Sequence, residues 1–318
     1  MVGARPEQGG GASTPSFALP RDAGPGLPGA PSPVRIGPRT FAWGERTFVM
    51  GILNVTPDSF SGDGLLAAVD PAEAALAQAR RMVADGADLI DVGGAASRPG
   101  HAPIPVGEEI ARVVPVVRAI VAELPGTVVS IDTTSPAVAV AAVEAGAHLL
   151  NDVWGTSDDP AMARAAATLG VPIVLMHNRA EARYRNLLPE VIADLWRALD
   201  RALDLGVPWE HLVVDPGFGF GKTPDHNVAL LAGLDSLRVL ARPILLGTSR
   251  KSTLGKLLDL PPDQRVEATA ATTALAIAAG ADIIRVHDVR ENARTARVAD
   301  AILRGWRPDG WPGGAKSA

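Results

Sequence analysis

The sequence predicts an α/β fold, a (β/α)8 barrel of the TIM type behind a disordered Gly/Pro-rich N-terminal extension, and three observations carry the prediction. Eight short apolar runs, many rich in Val and Ile, each end in a polar residue or Gly. Stretches with helical period lie between them. Several of those stretches close on Gly-Ala just before the next run, at Gly86-Ala87, Gly146-Ala147 and Gly280-Ala281, where glycine relieves the strain of a left-handed helix cap. Continuous apolar strands alternating with helices imply parallel pairing buried on both faces. Eight such units in about 260 residues match a closed barrel. An open doubly wound sheet is the rival, but it calls for a Gly-rich phosphate turn after the first strand, and the first run leads instead into Asn54-Val55-Thr56-Pro57.

The chain has 318 residues with 33 Gly and 27 Pro, and sixteen of these fall in the first 40. Residues 1–40 show no periodic apolar face that would offset the entropy of ordering, so they read as a disordered tail. A targeting peptide is the competing reading. Its apolar stretch Phe17-Ala18-Leu19 stops at Pro20, and Glu7 and Asp22 are unlike an acid-poor transit peptide. Residues 41–305 form the barrel, and 306–318 read as a flexible C-terminal tail. The strands in order are FVMGILN (48–54), DLIDVGG (88–94), VVSIDT (128–133), HLLND (148–152), PIVLMH (172–177), LVVDPG (212–217), PILLGTSRK (243–251) and DIIRVHD (282–288). Helical period is clearest at Leu76, Ala79, Met82 and Val83, and at Ile110, Val113, Val114, Val117, Ile120 and Val121.

Composition narrows the function. Hydrophobic residues at 47% and charged residues at 20% describe a globular chain with a large core. A net charge of −5 argues against a nucleic-acid partner, and no apolar run reaches the roughly 18 residues of a membrane span. The absence of cysteine excludes disulfides, thiolate metal sites and cysteine nucleophiles, and it fits a reducing compartment. With no export signal, the expected location is cytoplasmic.

Barrels of this kind build their sites at the C-terminal ends of the strands. There the sequence delivers Asn54, the Ser97-Arg98-Pro99 turn, Asp132, Asn151, His177, Asp215, Lys251, Arg285 and His287. One such residue would suit a loop cap; so many polar groups on one rim call for ligands or partners. Arg250-Lys251-Ser252 and Arg285-Val286-His287 supply cations where barrels often hold phosphate, and Arg285 and His287, two apart, point the same way. Asp132, Asn151 and Asp215 offer acceptors suited to a heterocycle with several N–H groups along one edge. His177 reads as a structural residue of the barrel rim.

These residues sit in motifs that resemble the dihydropteroate synthase family: MGILNVTPDSFS at 50–61, SIDT at 130–133, NDV at 151–153, DPGFGFGK at 215–222 with His226-Asn227, SRKS at 249–252 and RVHDV at 285–289. The match follows the family's order through the whole barrel. The resemblance implies an Mg²⁺-dependent transferase of folate biosynthesis and a homodimer. Its substrates would be 6-hydroxymethyl-7,8-dihydropterin pyrophosphate and p-aminobenzoate, with pyrophosphate released. It implies Asn54 near Mg²⁺ and pyrophosphate; Asp132, Asn151, Asp215 and Lys251 in the pterin pocket; and Arg285 and His287 in the anion pocket. Ser97, Arg98, Pro99, Phe60 and Ser252 would shape the surface for p-aminobenzoate and sulfonamides. Lys251, Arg285, His287 and Arg98 are the catalytic candidates. The implied mechanism is dissociative: pyrophosphate leaves, positive charge spreads into the pterin, and the already nucleophilic arylamine attacks without a strong base.

Two loops depart from the family pattern. Where the family reads Ser-Phe-Ser-Asp-Gly-Gly, this chain has Ser59-Phe60-Ser61-Gly62-Asp63-Gly64, so the metal-side acid falls one position later, on Asp63. Where the family reads Gly-Gly-Glu-Ser-Thr-Arg-Pro-Gly, this chain has Ala95-Ala96-Ser97 in place of Glu-Ser-Thr. That change resembles the altered loop of sulfonamide-resistant variants and implies altered sulfonamide binding with p-aminobenzoate still used. The alternatives are a noncatalytic pterin-binding paralogue and a methyltetrahydrofolate:corrinoid methyltransferase; the latter would not need the two cationic motifs.

Overall fold

The computed structural model describes residues 31–55, 70–95, 104–157 and 159–312. Residues 1–30, which make up most of the predicted tail, lie outside the described residues, as do Phe60, Asp63, Ala96, Ser97, Arg98, Pro99 and the terminal 313–318.

The eight predicted runs become eight parallel strands: β3 (Phe48–Asn54), β4 (Leu89–Gly93), β5 (Val128–Asp132), β6 (Leu149–Asp152), β7 (Ile173–Met176), β8 (Leu212–Asp215), β9 (Leu245–Leu246) and β10 (Ile283–Val286). They pair in the order β8-β7-β6-β5-β4-β3-β10-β9. A parallel bridge from Val214 to Ile244 brings the two edge strands together and closes the ring. Around it run α1 (Pro71–Asp85), α2 (Val106–Glu123), α3 (Pro136–Glu144), α4 (Ala161–Leu169), α5 (Leu187–Asp204), α6 (Pro224–Ala232), α7 (Ser252–Leu258), α8 (Val266–Ala278) and α9 (Val289–Leu303). α1 shows why such segments are helical: the Asp70 side chain caps the Ala72 amide, Pro71 opens the helix, and Gly86 ends it at φ 110°.

Alternation along each strand sorts the side chains into two layers. Val49, Ile90, Val129, Leu150, Leu175, Val214, Leu246 and Ile284 face outward into the core shared with the helices. Phe48, Met50, Leu89, Val128, Leu149, Val174, Val213, Leu245 and Ile283 face inward and fill the lower barrel.

The tail boundary drawn at residue 40 is corrected by the structure. β1 (Val34–Ile36) and β2 (Arg39–Phe41) form an antiparallel hairpin with Val34 opposite Phe41. Val34, Ile36, Phe41 and Trp43 join the inward-facing strand residues in one apolar cluster, which plugs the N-terminal mouth. Three-residue strands surrounded by Gly and Pro carry too little periodicity to be read locally. What makes them order is the barrel floor beneath them, where Phe41 is fully buried, stacks with Trp43 and packs tilted against Phe48.

Candidate active site

Two residues beyond the apolar floor, the same strands turn polar. Leu149 is followed inward by Asn151, Val213 by Asp215, and Ile283 by Arg285; Val128 is followed by Ser130 and then Asp132. The parallel register then makes a row across neighbouring strands, Asn54 beside Gly93, Gly93 beside Asp132, and Asp132 beside Asn151. The barrel interior is therefore apolar below and polar above, and the change occurs within one side-chain step.

Asp132, Asn151 and Asp215 are buried, with 7%, 2% and 5% of their surface exposed. Arg285 lies among them. Its Nε donates to Asp91 Oδ2 and its Nη2 to Asp132 Oδ2, both at 2.6 Å. Asn151 Nδ2 donates to the same Asp91 oxygen at 2.9 Å. Burial pushes the Asp132 carboxyl up to about 7 against the opposing pull of Arg285, with the Asp91 charge adding to the rise. Burial likewise lifts Asp215 to about 6, held back by the Gly217 amide, which donates to Asp215 Oδ1 at 2.7 Å, and by Lys251. Two carboxyls poised near neutrality beside fixed cations suit a ligand that brings its own N–H donors.

Lys251 caps α7, with its ammonium 3.9 Å from the centre of the Phe220 ring. Phe220, Val153 and Met176 form a small buried apolar cluster at this end of the barrel, a wall against which a flat ring can lie. His287 Nδ1 is 3.0 Å from Ser249 Oγ, and that hydroxyl also accepts the His287 amide at 3.1 Å. Ser252, the first residue of α7, is exposed, and so is Asn54 at the end of β3. Arg250 is the cation that does not reach the site. At φ 56° it turns away and pairs through Nε and Nη2 with both carboxylate oxygens of Asp288.

The pterin binding enzyme family model matches residues 50–287, which spans every strand of the barrel. The chain belongs to the pterin-binding enzyme family. It is 47% identical to the dihydropteroate synthase of Bacillus subtilis over 266 residues, covering 84% of this chain and 92% of that one. It is also similar to two solved structures. One is a dihydropteroate synthase from Clostridium difficile in the presence of pteroic acid, with TM-score 0.79, 43% identity, and coverage of 83% of this chain and 99% of that one. The other, from Xanthomonas albilineans in complex with 7,8-dihydropteroate, has TM-score 0.78, 40% identity, and coverage of 87% and 100%.

Within this pterin-binding enzyme, Asp132, Asn151, Asp215, Lys251 and Arg285 lie at one end of the barrel, with His287 following Arg285 at the end of β10 beside Ser249. His177 is fully buried between Asp194 and Lys222. Sequence reasoning missed Asp91, which ties Arg285 to Asn151 and is fully buried. Its Oδ1 and the neighbouring Ser130 Oγ have no hydrogen-bond partner among the described residues, leaving polar capacity at the pocket floor. The available signal was an acid inside an otherwise apolar strand, two residues before Gly93 and so facing inward. The apolar wall of Val153, Met176 and Phe220 was missed as well, because those residues belong to three separate loops or strand ends.

Proposed function

We propose that the chain is a dihydropteroate synthase, joining the exocyclic methylene of 6-hydroxymethyl-7,8-dihydropterin pyrophosphate to the amine of p-aminobenzoate. The carbon–oxygen bond to pyrophosphate breaks, a carbon–nitrogen bond forms, and the amine gives up a proton. One observation carries the reading: Asp132, Asn151 and Asp215 are buried together above an apolar floor, with Lys251 and Arg285 beside them, in a chain closely similar to dihydropteroate synthases.

The chain's own residues suit each part of this reaction. Asp215, with Oδ1 held by the Gly217 amide, presents its second oxygen to ring N–H and amino donors. Asn151, whose amide nitrogen is committed to Asp91, keeps its carbonyl oxygen for a donor. Lys251 is a donor to a ring carbonyl or nitrogen, and its neighbour Phe220 excludes water from one face. Arg285 and His287 face the pyrophosphate side, where positive charge and N–H groups stabilise the departing oxygens. The arylamine needs no activated base, because it is nucleophilic when neutral. Arg98, Ser97, Pro99, Phe60 and Ser252 complete this reading as the p-aminobenzoate surface.

Mg²⁺ belongs to the proposal, with Asn54 and Asp63 as its protein ligands. Asn54 Oδ1 and Asp132 Oδ2 both lie beside Gly93, 3.6 Å and 4.0 Å from where its Cβ would be, so oxygen donors of the kind Mg²⁺ prefers gather at this strand end. Among the described residues no three acids or histidines form a metal cage, and Mg²⁺ commonly takes most of its ligands from water and phosphate. When bound, the ion would neutralise the leaving pyrophosphate. A homodimer is supported by apolar residues exposed on adjacent helices, Leu275 on α8 and Val298 and Ile302 on α9. A cytoplasmic location is supported by the absence of cysteine, and among the described residues no helix is long and apolar enough to cross a membrane.

Mixing the pterin pyrophosphate, p-aminobenzoate and Mg²⁺ with the protein is expected to release pyrophosphate and form 7,8-dihydropteroate. Pterin binding without pyrophosphate release would replace the reading with a noncatalytic pterin-binding protein.

A further inference from the structure

The loop 216–222 follows Asp215 at the end of β8 and carries Phe220 of the apolar wall, yet its backbone is intrinsically loose. Gly217, Gly219 and Gly221 all have positive φ, at 70°, 85° and 55°. Such a loop has many accessible conformations, and something must select one. The Lys222 ammonium sits at its centre. It donates to the Gly217 carbonyl at 3.1 Å, to the Phe220 carbonyl at 3.1 Å, and to His177 Nδ1 at 2.9 Å. An ammonium has three N–H groups, and here each has an acceptor.

The histidine is prepared for this contact. His177 is fully buried, and burial with the nearby Lys222 charge pushes its pKa down to about 3, so the ring is neutral. Its Nε2 faces the Asp194 carboxylate at 3.1 Å. A carboxylate only accepts, so Nε2 carries the hydrogen and Nδ1 keeps a lone pair toward Lys222. Asp194 is fixed in turn by Arg179, whose Nε donates to it at 2.9 Å, and by Arg197. The same segment meets the loop backbone directly: a Cβ on Gly217 would lie 1.9 Å from the His177 carbonyl oxygen, and one on Gly221 would lie 2.3 Å from that of Arg179.

We propose that Lys222 is a positioning residue for the pterin: by tying the Gly217 and Phe220 carbonyls to the His177 ring, it sets where Asp215 and the Phe220 ring meet the substrate. Gly217 transmits the effect to Asp215 through its amide, and Phe220 transmits it to Lys251 through the ring contact. The Lys222 charge also acts on Asp215 through space and favours its carboxylate form. Burial lowers the Lys222 amine to about 7, which shows that charge is disfavoured there, and the three acceptors are what favour the ammonium form in that setting. The inference rests on the reading of Asp215 as the pterin acceptor.

The test is calorimetric binding of 6-hydroxymethylpterin to the full chain. Lys222→Met and Lys222→Ala are each expected to weaken binding about tenfold or more. In Lys222→Ala, tens of millimolar methylammonium should restore much of the affinity, whereas tetramethylammonium, which has no N–H, should not. A residue needed only for folding would not respond to the amine in this way. Lys222→Arg keeps the charge but cannot aim three N–H groups from one centre, and is expected to weaken binding about threefold even if the shorter variants do not fold. Wild-type affinity in any folded Lys222 variant, or rescue by both amines alike, overturns the proposal. Asp215→Asn is measured alongside: unchanged affinity there refutes the pterin assignment itself, and lost affinity there with no effect at Lys222 refutes the positioning role alone.

Discussion

Replacing Arg285 with Met should destabilise the fold by an amount that grows with pH. Arg285 bridges Asp91 and Asp132 at 2.6 Å each, with Asp91 fully buried and Asp132 nearly so. Removing one partner of a buried ion pair costs about 3–5 kcal/mol, because the remaining charges are left unpaired. The pH dependence follows from Asp132, which burial raises to about 7 while Arg285 opposes the rise. Without Arg285 that value moves higher. Above pH 7 the folded variant then holds a proton that both its unfolded chain and the folded wild type have released. The variant therefore loses about 1.4 kcal/mol per pH unit relative to wild type until its new pKa is reached. Below pH 7 both folded proteins are protonated there, and the gap is constant. Urea unfolding followed by tryptophan fluorescence at pH 6, 7, 8 and 9, at fixed ionic strength, measures the gap. A difference that stays flat from pH 6 to 9 would refute the argument that Arg285 holds down a buried carboxyl. Arg285→Lys keeps the charge without the fork, and its gap should be smaller throughout.

Other consequences are as direct. Pterin affinity should strengthen from pH 5 to 7 with a midpoint near the Asp215 value of about 6, since the carboxylate is the accepting form, and calorimetric titration of Asp215→Asn should show that dependence abolished. Gly217→Ala places a methyl 1.9 Å from a backbone oxygen at φ 70°, and should cost well over 2 kcal/mol in chemical unfolding. Gly170→Ala, at φ 68° with open space around it, should cost only about 1 kcal/mol, which separates the clash from the backbone strain. Phe41→Ala should lose about 3–5 kcal/mol by thermal or urea denaturation, which a disordered tail ending at residue 40 would not predict for its neighbour. Restoring Ala95→Glu with Ala96→Ser should change sulfonamide inhibition relative to p-aminobenzoate; equal inhibition constants would remove any role of this loop in drug binding.

The strands were legible because a parallel barrel buries both faces, so each strand appears as an unbroken apolar run that ends where the site begins. Asn151 and Asp215 stood out for the same reason, each being a polar residue at the end of such a run, and Arg285 stood out as a cation paired with His287 two residues on. Asp91 did not stand out, because it lies inside its run and looks like an interruption until its partners are known. The hairpin at residues 34–41 was invisible for a different reason. Its order comes from contacts with Phe48 and the inward floor, and little in its own short strands signals it.

By itself, then, the amino-acid sequence determined the barrel, its order of elements, the family and the set of polar groups at the strand ends, because side-chain alternation and helix capping are local properties. Only the tertiary structure decided how those groups share their charges. Arg285 meets Asp91 across 194 positions of chain and Asp132 across 153, and Lys222 meets His177 across 45. Closure of the ring brings these partners together, and burial then converts ordinary carboxyls and an ordinary amine into groups that titrate near neutrality. The apolar floor below and the burial of these groups against their neighbours supply the physical cause, and neither is written in any single segment.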